Sequence, residues 1–195
     1  MTQTANHLDS LDFDQLVQQV RACTLPEGPR PVVQLSRSSR ILVVGQAPGR
    51  KVHETGIPFN DPSGDRLRQW MGVDREQFYN EEQVAILPMG FCFPGTGKSG
   101  DLPPRPECAE TWREALLARL DKVELTLVIG QYAQAWHLPD SRKSVTDNVK
   151  AWREYWPGLL PMPHPSPRNI RWLKSNPWFE QEVIPRLQAR IRELL

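Results

Sequence analysis

The stretch that decides the fold is Arg40-Ile-Leu-Val-Val-Gly-Gln-Ala-Pro-Gly49, an apolar, β-branched run that enters a glycine–proline turn. A short continuous apolar run closed by turn residues reads as a strand buried on both faces, the kind that builds parallel sheets. Val84–Leu87 and Leu125–Gly130 (LTLVIG) share this form, and Leu159–Met162 is a weaker fourth. Helical patterns lie between them. Ser63–Met71 opens on a serine suited to an N-cap. Cys108, Trp112, Leu116 and Leu120 recur at i, i+4, and Val145–Tyr155 predicts a further helix. The last helix is signalled by Asn176 as N-cap, Pro177 at the first helical position, and Phe179, Val183, Leu187 and Ile191 on one face. Pro185 kinks it or delays its start. Before the first strand, Phe13, Leu16, Val17 and Val20 place an amphipathic helix over about residues 10–23. Strands alternating with helices predict one α/β domain over residues 1–195, a three-layer α/β/α arrangement with a central, mainly parallel four-stranded sheet.

Composition narrows the class. The chain has 195 residues, 39% hydrophobic and 24% charged, which is globular rather than disordered. No apolar run approaches a membrane span, and the N-terminal MTQTANHLDS lacks the basic and apolar regions of a signal peptide, so a cytoplasmic protein is expected. Three widely spaced cysteines exclude a disulfide scaffold. Cys and His do not cluster at zinc-ligand spacing, so no metal site is expected. A net charge of +1 means that a nucleic-acid binder must gather its cations on one face. The 19 prolines cluster at Pro26–Pro31, Pro94–Pro106 and Pro157–Pro167, marking stiff loops of the sort that carry function.

In parallel α/β sheets ligands bind beyond the C-terminal ends of the strands. Two loops belong there: GQAPGRKVHETGIPFNDPSGD, Gly45–Asp65, and HPSPRN, His164–Asn169. The Gly45–Gly49 turn, stiffened by Pro48, can aim backbone N–H groups at a ligand. Alone it reads equally well as a plain strand-to-helix turn, and His164 alone as a loop histidine with a structural hydrogen bond.

Taken together the two loops resemble the uracil-DNA glycosylase superfamily, over roughly residues 20–190. GQAPG is similar to that superfamily's first motif, and GIPF with the following Ser-Gly to its thermostable-type branches. HPSPRN is similar to the second motif of the single-strand-selective branch. The resemblance implies cleavage of the bond between a damaged base and its deoxyribose. His164 would then donate to the base as negative charge builds on it. Phe59 would stack beneath the flipped base. Gly45, Ala47, Pro88 and Met89 would line the base pocket.

The water-activating group departs from the pattern. The first motif carries Ala47 where other members have Asp or Asn, and Gln46 where others have Glu; Gln46 can orient a water but not take its proton. Asp61, two residues before Ser63-Gly64, matches an aspartate used by one thermostable-type branch, with Asp65 as the second candidate. His53 and Glu54 share the loop and read more readily as solvated residues. The asparagine that reads uracil in that branch falls at Pro88, which leaves the base edge to backbone groups of Pro88–Phe91 and keeps xanthine, hypoxanthine and modified pyrimidines open. Arg168 stands at the wedge position, and Ser166, Pro167, Asn169, Arg171 and Lys174, with Trp172 between, read as the DNA-contacting edge.

Some relatives hold a four-iron cluster on four cysteines. Cys23, Cys92 and Cys108 match three of them, and Val20 stands at the fourth place. Three thiolates fall one short, so no cofactor is expected, a 4Fe–4S cluster completed by an unidentified fourth ligand being the alternative. The first functional reading is a monofunctional DNA glycosylase, since no lysine in either loop is placed as a sugar-attacking amine. A non-catalytic damaged-base or nucleic-acid binder is the second. Hydrolysis of free nucleosides is a third, which a wedge such as Arg168 does not need. A monomer acting on DNA with a flipped-out base is expected.

Overall fold

The computed structural model describes residues 7–23, 30–139 and 144–195. Most of the expected Pro26–Pro31 loop lies outside them. Four strands, β1 (Ile41–Val44), β2 (Val84–Ile86), β5 (Leu125–Ile129) and β6 (Leu159–Met162), form one sheet in the order β2-β1-β5-β6, every neighbouring pair parallel. A two-residue-per-strand hairpin, β3 (Thr96–Gly97) with β4 (Gly100–Asp101), stands apart from it. The sheet is flanked by helices on both faces, a single three-layer α/β/α arrangement.

Side chains alternate across a strand, and here both faces are covered, which explains the unbroken apolar runs. Ile41 and Val43 face a core shared with Leu67, Trp70, Phe179 and Leu187. Leu42 and Val44 face the opposite core, with Leu16, Val20 and Leu116. The first core is built by α3 (Pro62–Met71) and the C-terminal helix, the second by α1 (Phe13–Arg21) and the helix around Leu116. Asp12 and Gln15 close α1 with a reciprocal capping box, so the helix starts at Phe13.

Several element limits differ from expectation, for identifiable reasons. α3 is capped by Asp61, whose carboxylate accepts from the Gly64 N–H at 2.8 Å; Ser63 lies inside the helix. The helix carrying Cys108 and Leu116, α5, begins at Pro106–Cys108, widens to a π turn over Ala109–Arg113 and ends as Glu114–Leu117. The helix after β5, α6, spans Gly130–His137. Val145–Lys150 is α-helical, and Trp152–Glu154 follows as a 3-10 turn. At the C-terminus a separate helix, Ile170–Ser175, precedes Asn176, whose amide turns back to the Trp172 carbonyl rather than capping forward. A π turn over Phe179–Val183 then leads into Ile184–Leu194. Pro185 cannot donate to a carbonyl four residues back, and the widened turn before it takes up the mismatch.

Parallel order brings the C-terminal ends of all four strands to one edge. The Met89 N–H donates to the Gly45 carbonyl and the Gly90 N–H to that of Gln46, both at 2.9 Å, so the loop after β2 is stitched to the GQAPG turn.

Candidate active site

His164 leaves the end of β6 on a loop fixed by its own backbone. The Ser166 N–H donates to His164 Nδ1 at 3.1 Å. Nδ1 is therefore an acceptor, and a neutral ring carries its proton on Nε2. Asn169 Nδ2 donates to the His164 carbonyl at 3.0 Å, and Arg66 of α3 donates to the Ser166 carbonyl at 3.1 Å. Burial holds the His164 pKa below the ordinary imidazole value, partly opposed by the Asp61 carboxylate. The imidazole is thus a neutral hydrogen-bond donor at pH 7, and the Asp61 carboxylate is near enough to favour its protonated form.

Phe59 adopts a left-handed backbone, φ 53°, the only non-glycine positive φ among the described residues. Such a residue costs about 1–3 kcal/mol and persists only where its surroundings hold it. Arg68 donates to its carbonyl at 3.3 Å, Tyr79 donates to the neighbouring Pro58 carbonyl at 2.8 Å, and the ring meets Phe78 edge-on at 6.1 Å. Its ring lies over the first motif: a Cβ on Gly45 would stand 3.2 Å from Cζ. Two residues on, Asp61 commits Oδ1 to the cap of α3.

His164, Phe59 and Asp61 border one cavity of about 240 Å³. Gly45, Gln46, Ala47, Pro88, Ser166 and Arg168 line it with them. A second hollow of about 300 Å³ adjoins it, sharing Gln46, His164 and Arg168 and walled by the β3–β4 hairpin. Ends of the chain more than a hundred residues apart thus meet at one polar-rimmed pocket with an aromatic plate, a neutral imidazole and a carboxylate.

The sequence model of the uracil DNA glycosylase superfamily matches residues 32–188. The chain belongs to the uracil DNA glycosylase superfamily. A solution NMR structure from Methanosarcina acetivorans, provisionally assigned as a uracil DNA glycosylase, is similar at 14% identity and a TM-score of 0.45, over 81% of this chain and 94% of that one.

Within this glycosylase frame several expectations need correction. Met89 does not border the cavity; it is buried in the second core and faces an apolar hollow with Trp136. Pro88 has no N–H, and the Met89 and Gly90 N–H groups donate to the Gly45 and Gln46 carbonyls of the first motif. Asp65 points outward, 74% exposed and paired with Arg68 at 2.6 Å. Neither His53, which packs near Phe93, nor Glu54 borders the cavity. Pro167, Arg171 and Lys174 are exposed outside the cavity, as residues of a DNA-contacting edge would be, and Asn169 donates to the His164 carbonyl.

Sequence reasoning missed two residues. Asp101, exposed on the hairpin, borders both hollows, and nothing in its Gly-Asp-Leu context marks it. Arg113 is fully buried against the loop after β2. Its signal was present: a charge adjoining the Cys108–Trp112–Leu116 stripe falls on the apolar side of α5.

Three of the four cysteine places of the iron–sulfur relatives are filled here, by Cys23, Cys92 and Cys108. All three are free thiols, and burial, with the nearby Cys108 and Cys23 thiols, pushes Cys92 up to about 11. Val20, at the fourth place, is fully buried in an apolar core. Among the described residues no group of three or more His, Cys, Asp or Glu side chains could hold a metal ion. No helix among them is long and apolar enough to cross a membrane.

Proposed function

We propose that this chain hydrolyses the N-glycosidic bond of uracil or another deaminated base in DNA, acting as a monofunctional monomer on a flipped-out nucleotide. The observation that carries the reading is the convergence of a neutral His164 donor, the Phe59 ring and the Asp61 carboxylate on one cavity. Water adds to C1′ of the sugar as the C1′–N bond breaks, and the bonding pair leaves with the base. His164 Nε2–H donates to the base oxygen as that charge builds, without itself being charged. Phe59 stacks on the base face. Asp61 has Oδ1 spent on the α3 cap, and its other oxygen takes the water's proton, with Gln46 orienting that water. Arg168, lying against Gly100 of the hairpin, fills the gap in the strand, while Arg171 and Lys174 meet phosphates beyond it. The reading includes no cofactor.

A second reading rests on one observation: the GQAPG turn carries no acid at Gln46 or Ala47. A pocket without a working base would bind damaged bases without cutting. Oligonucleotides carrying uracil, hypoxanthine or xanthine, single- and double-stranded, separate the two when abasic sites are counted after incubation. Base release is expected, reduced on the order of 100-fold or more in His164→Ala. Asp61→Ala is expected to fall by a similar factor, on the order of 10²–10⁴, with DNA binding nearly intact. Full activity in Asp61→Ala removes that residue from the step, and no release from any substrate leaves the binding reading.

A further inference from the structure

Arg113 is the largest fully buried side chain of the described residues, with 0% exposure. It sits at the end of the π turn in α5, a distortion that recurs at functional sites. Its guanidinium donates to the Pro88 carbonyl at 2.9 Å and the Leu87 carbonyl at 3.2 Å, and lies 3.0 Å from His137 Nε2. Nε has no partner, and among the described residues no carboxylate pairs with the charge. A buried cation without a counter-ion is costly, so its retention calls for a reason beyond packing.

The reason lies in what the braced carbonyls would otherwise do. Pro88 borders the cavity, whereas Arg113 and Leu87 do not. Drawn to Arg113, the two carbonyl dipoles are committed behind the cavity wall. Turned toward the cavity, their negative ends would oppose a departing base anion. The guanidinium also sets a net positive charge behind that wall, in a low-dielectric interior where its field is weakly screened. His137 beside it cannot cancel it, since a neutral imidazole carries no charge.

We propose that Arg113 is a positioning residue for base departure, holding the Leu87 and Pro88 carbonyls off the cavity and supplying an uncompensated positive charge behind the base. The proposal rests on the glycosylase reading above. It makes a claim that a purely structural brace does not. Charge behind the base helps most when the leaving base is a poor anion, so its loss should slow uracil more than the more acidic 5-fluorouracil.

The test measures single-turnover release of uracil and 5-fluorouracil from otherwise identical DNA, with affinity read on a non-cleavable 2′-fluoro nucleotide. Arg113→Met removes the charge and the brace. His137→Glu keeps the brace and neutralises the charge, so it carries the test if Arg113→Met does not fold. In each, uracil release is expected to drop by at least about tenfold with affinity little changed, and the 5-fluorouracil to uracil rate ratio to rise roughly threefold or more. Arg113→Lys, which keeps the charge, is expected to hold the wild-type ratio. An unchanged ratio in folded Arg113→Met and His137→Glu overturns the role of Arg113 and leaves the glycosylase reading standing. A wild-type protein that releases neither base overturns both.

Discussion

Phe59 shows how much of the pocket depends on atoms that are absent. Its left-handed backbone brings its carbonyl so close to Gly64 that any Cβ there would overlap the oxygen. The carbonyl cannot retreat freely, because Arg68 holds it at 3.3 Å. Gly64→Ala must therefore move the Phe59 loop or the start of α3, and is expected to lower stability by about 3 kcal/mol or more, in the range of severe packing defects. Gly45→Ala meets only the tip of the ring, at 3.2 Å, and the ring can tilt. That variant should lose little stability and still lose base release, because the plate no longer lies flat under the base. Thermal unfolding beside the release assay distinguishes the two; a Gly64→Ala protein as stable as the parent would mean that Phe59 is not held as described.

At the scale of elements, α3 couples folding to chemistry through Asp61, which is both its N-cap and the proposed proton acceptor. The two roles separate by substitution. Asparagine caps a helix about as well as aspartate but takes no proton, whereas alanine does neither. Asp61→Asn is expected to unfold at the parent temperature while losing base release. Asp61→Ala should lose the activity and, in addition, about 1 kcal/mol of helix stability. Retained activity in Asp61→Asn would point to another acid, and Asp101, which also borders the cavity, is the candidate. The sheet was legible because Ile41–Val44 and Leu125–Ile129 bury both faces and leave no competing period. The start of α3 was misplaced because Ser63 and Asp61 are both good caps, and only the Pro62 ring, free to occupy the first helical position, favours the earlier one. The two π turns carry no local signature, since each answers a tertiary demand: burial of Arg113 in one, the approach to Pro185 in the other. The first and last loops of the site were legible as chemistry, but the hairpin wall was not, because Thr-Gly-Lys-Ser-Gly-Asp reads as an unremarkable turn.

For the molecule as a whole, the buried cation has a consequence for pH. His137 lies beside Arg113, and burial together with that charge lowers its pKa to about 4 from the ordinary 6.5. His164 is shifted in the same direction, by burial. In the unfolded chain both rings take up a proton near pH 6.5, while in the folded protein they resist it. Above pH 6.5 neither state is protonated there, so the stability these rings confer is fully present. As pH falls from about 6.5 toward 4 the unfolded state binds protons that the folded state refuses, and stability declines. The His137 share of that loss is on the order of 3 kcal/mol across the window. His137→Asn keeps an acceptor for the guanidinium and removes the titration. Urea unfolding of parent and variant between pH 7.5 and 4 should therefore give a flatter profile for His137→Asn, the two curves approaching each other on the acid side. Parallel curves would show that the ring takes its proton inside the folded protein, which a neighbouring unpaired guanidinium should forbid.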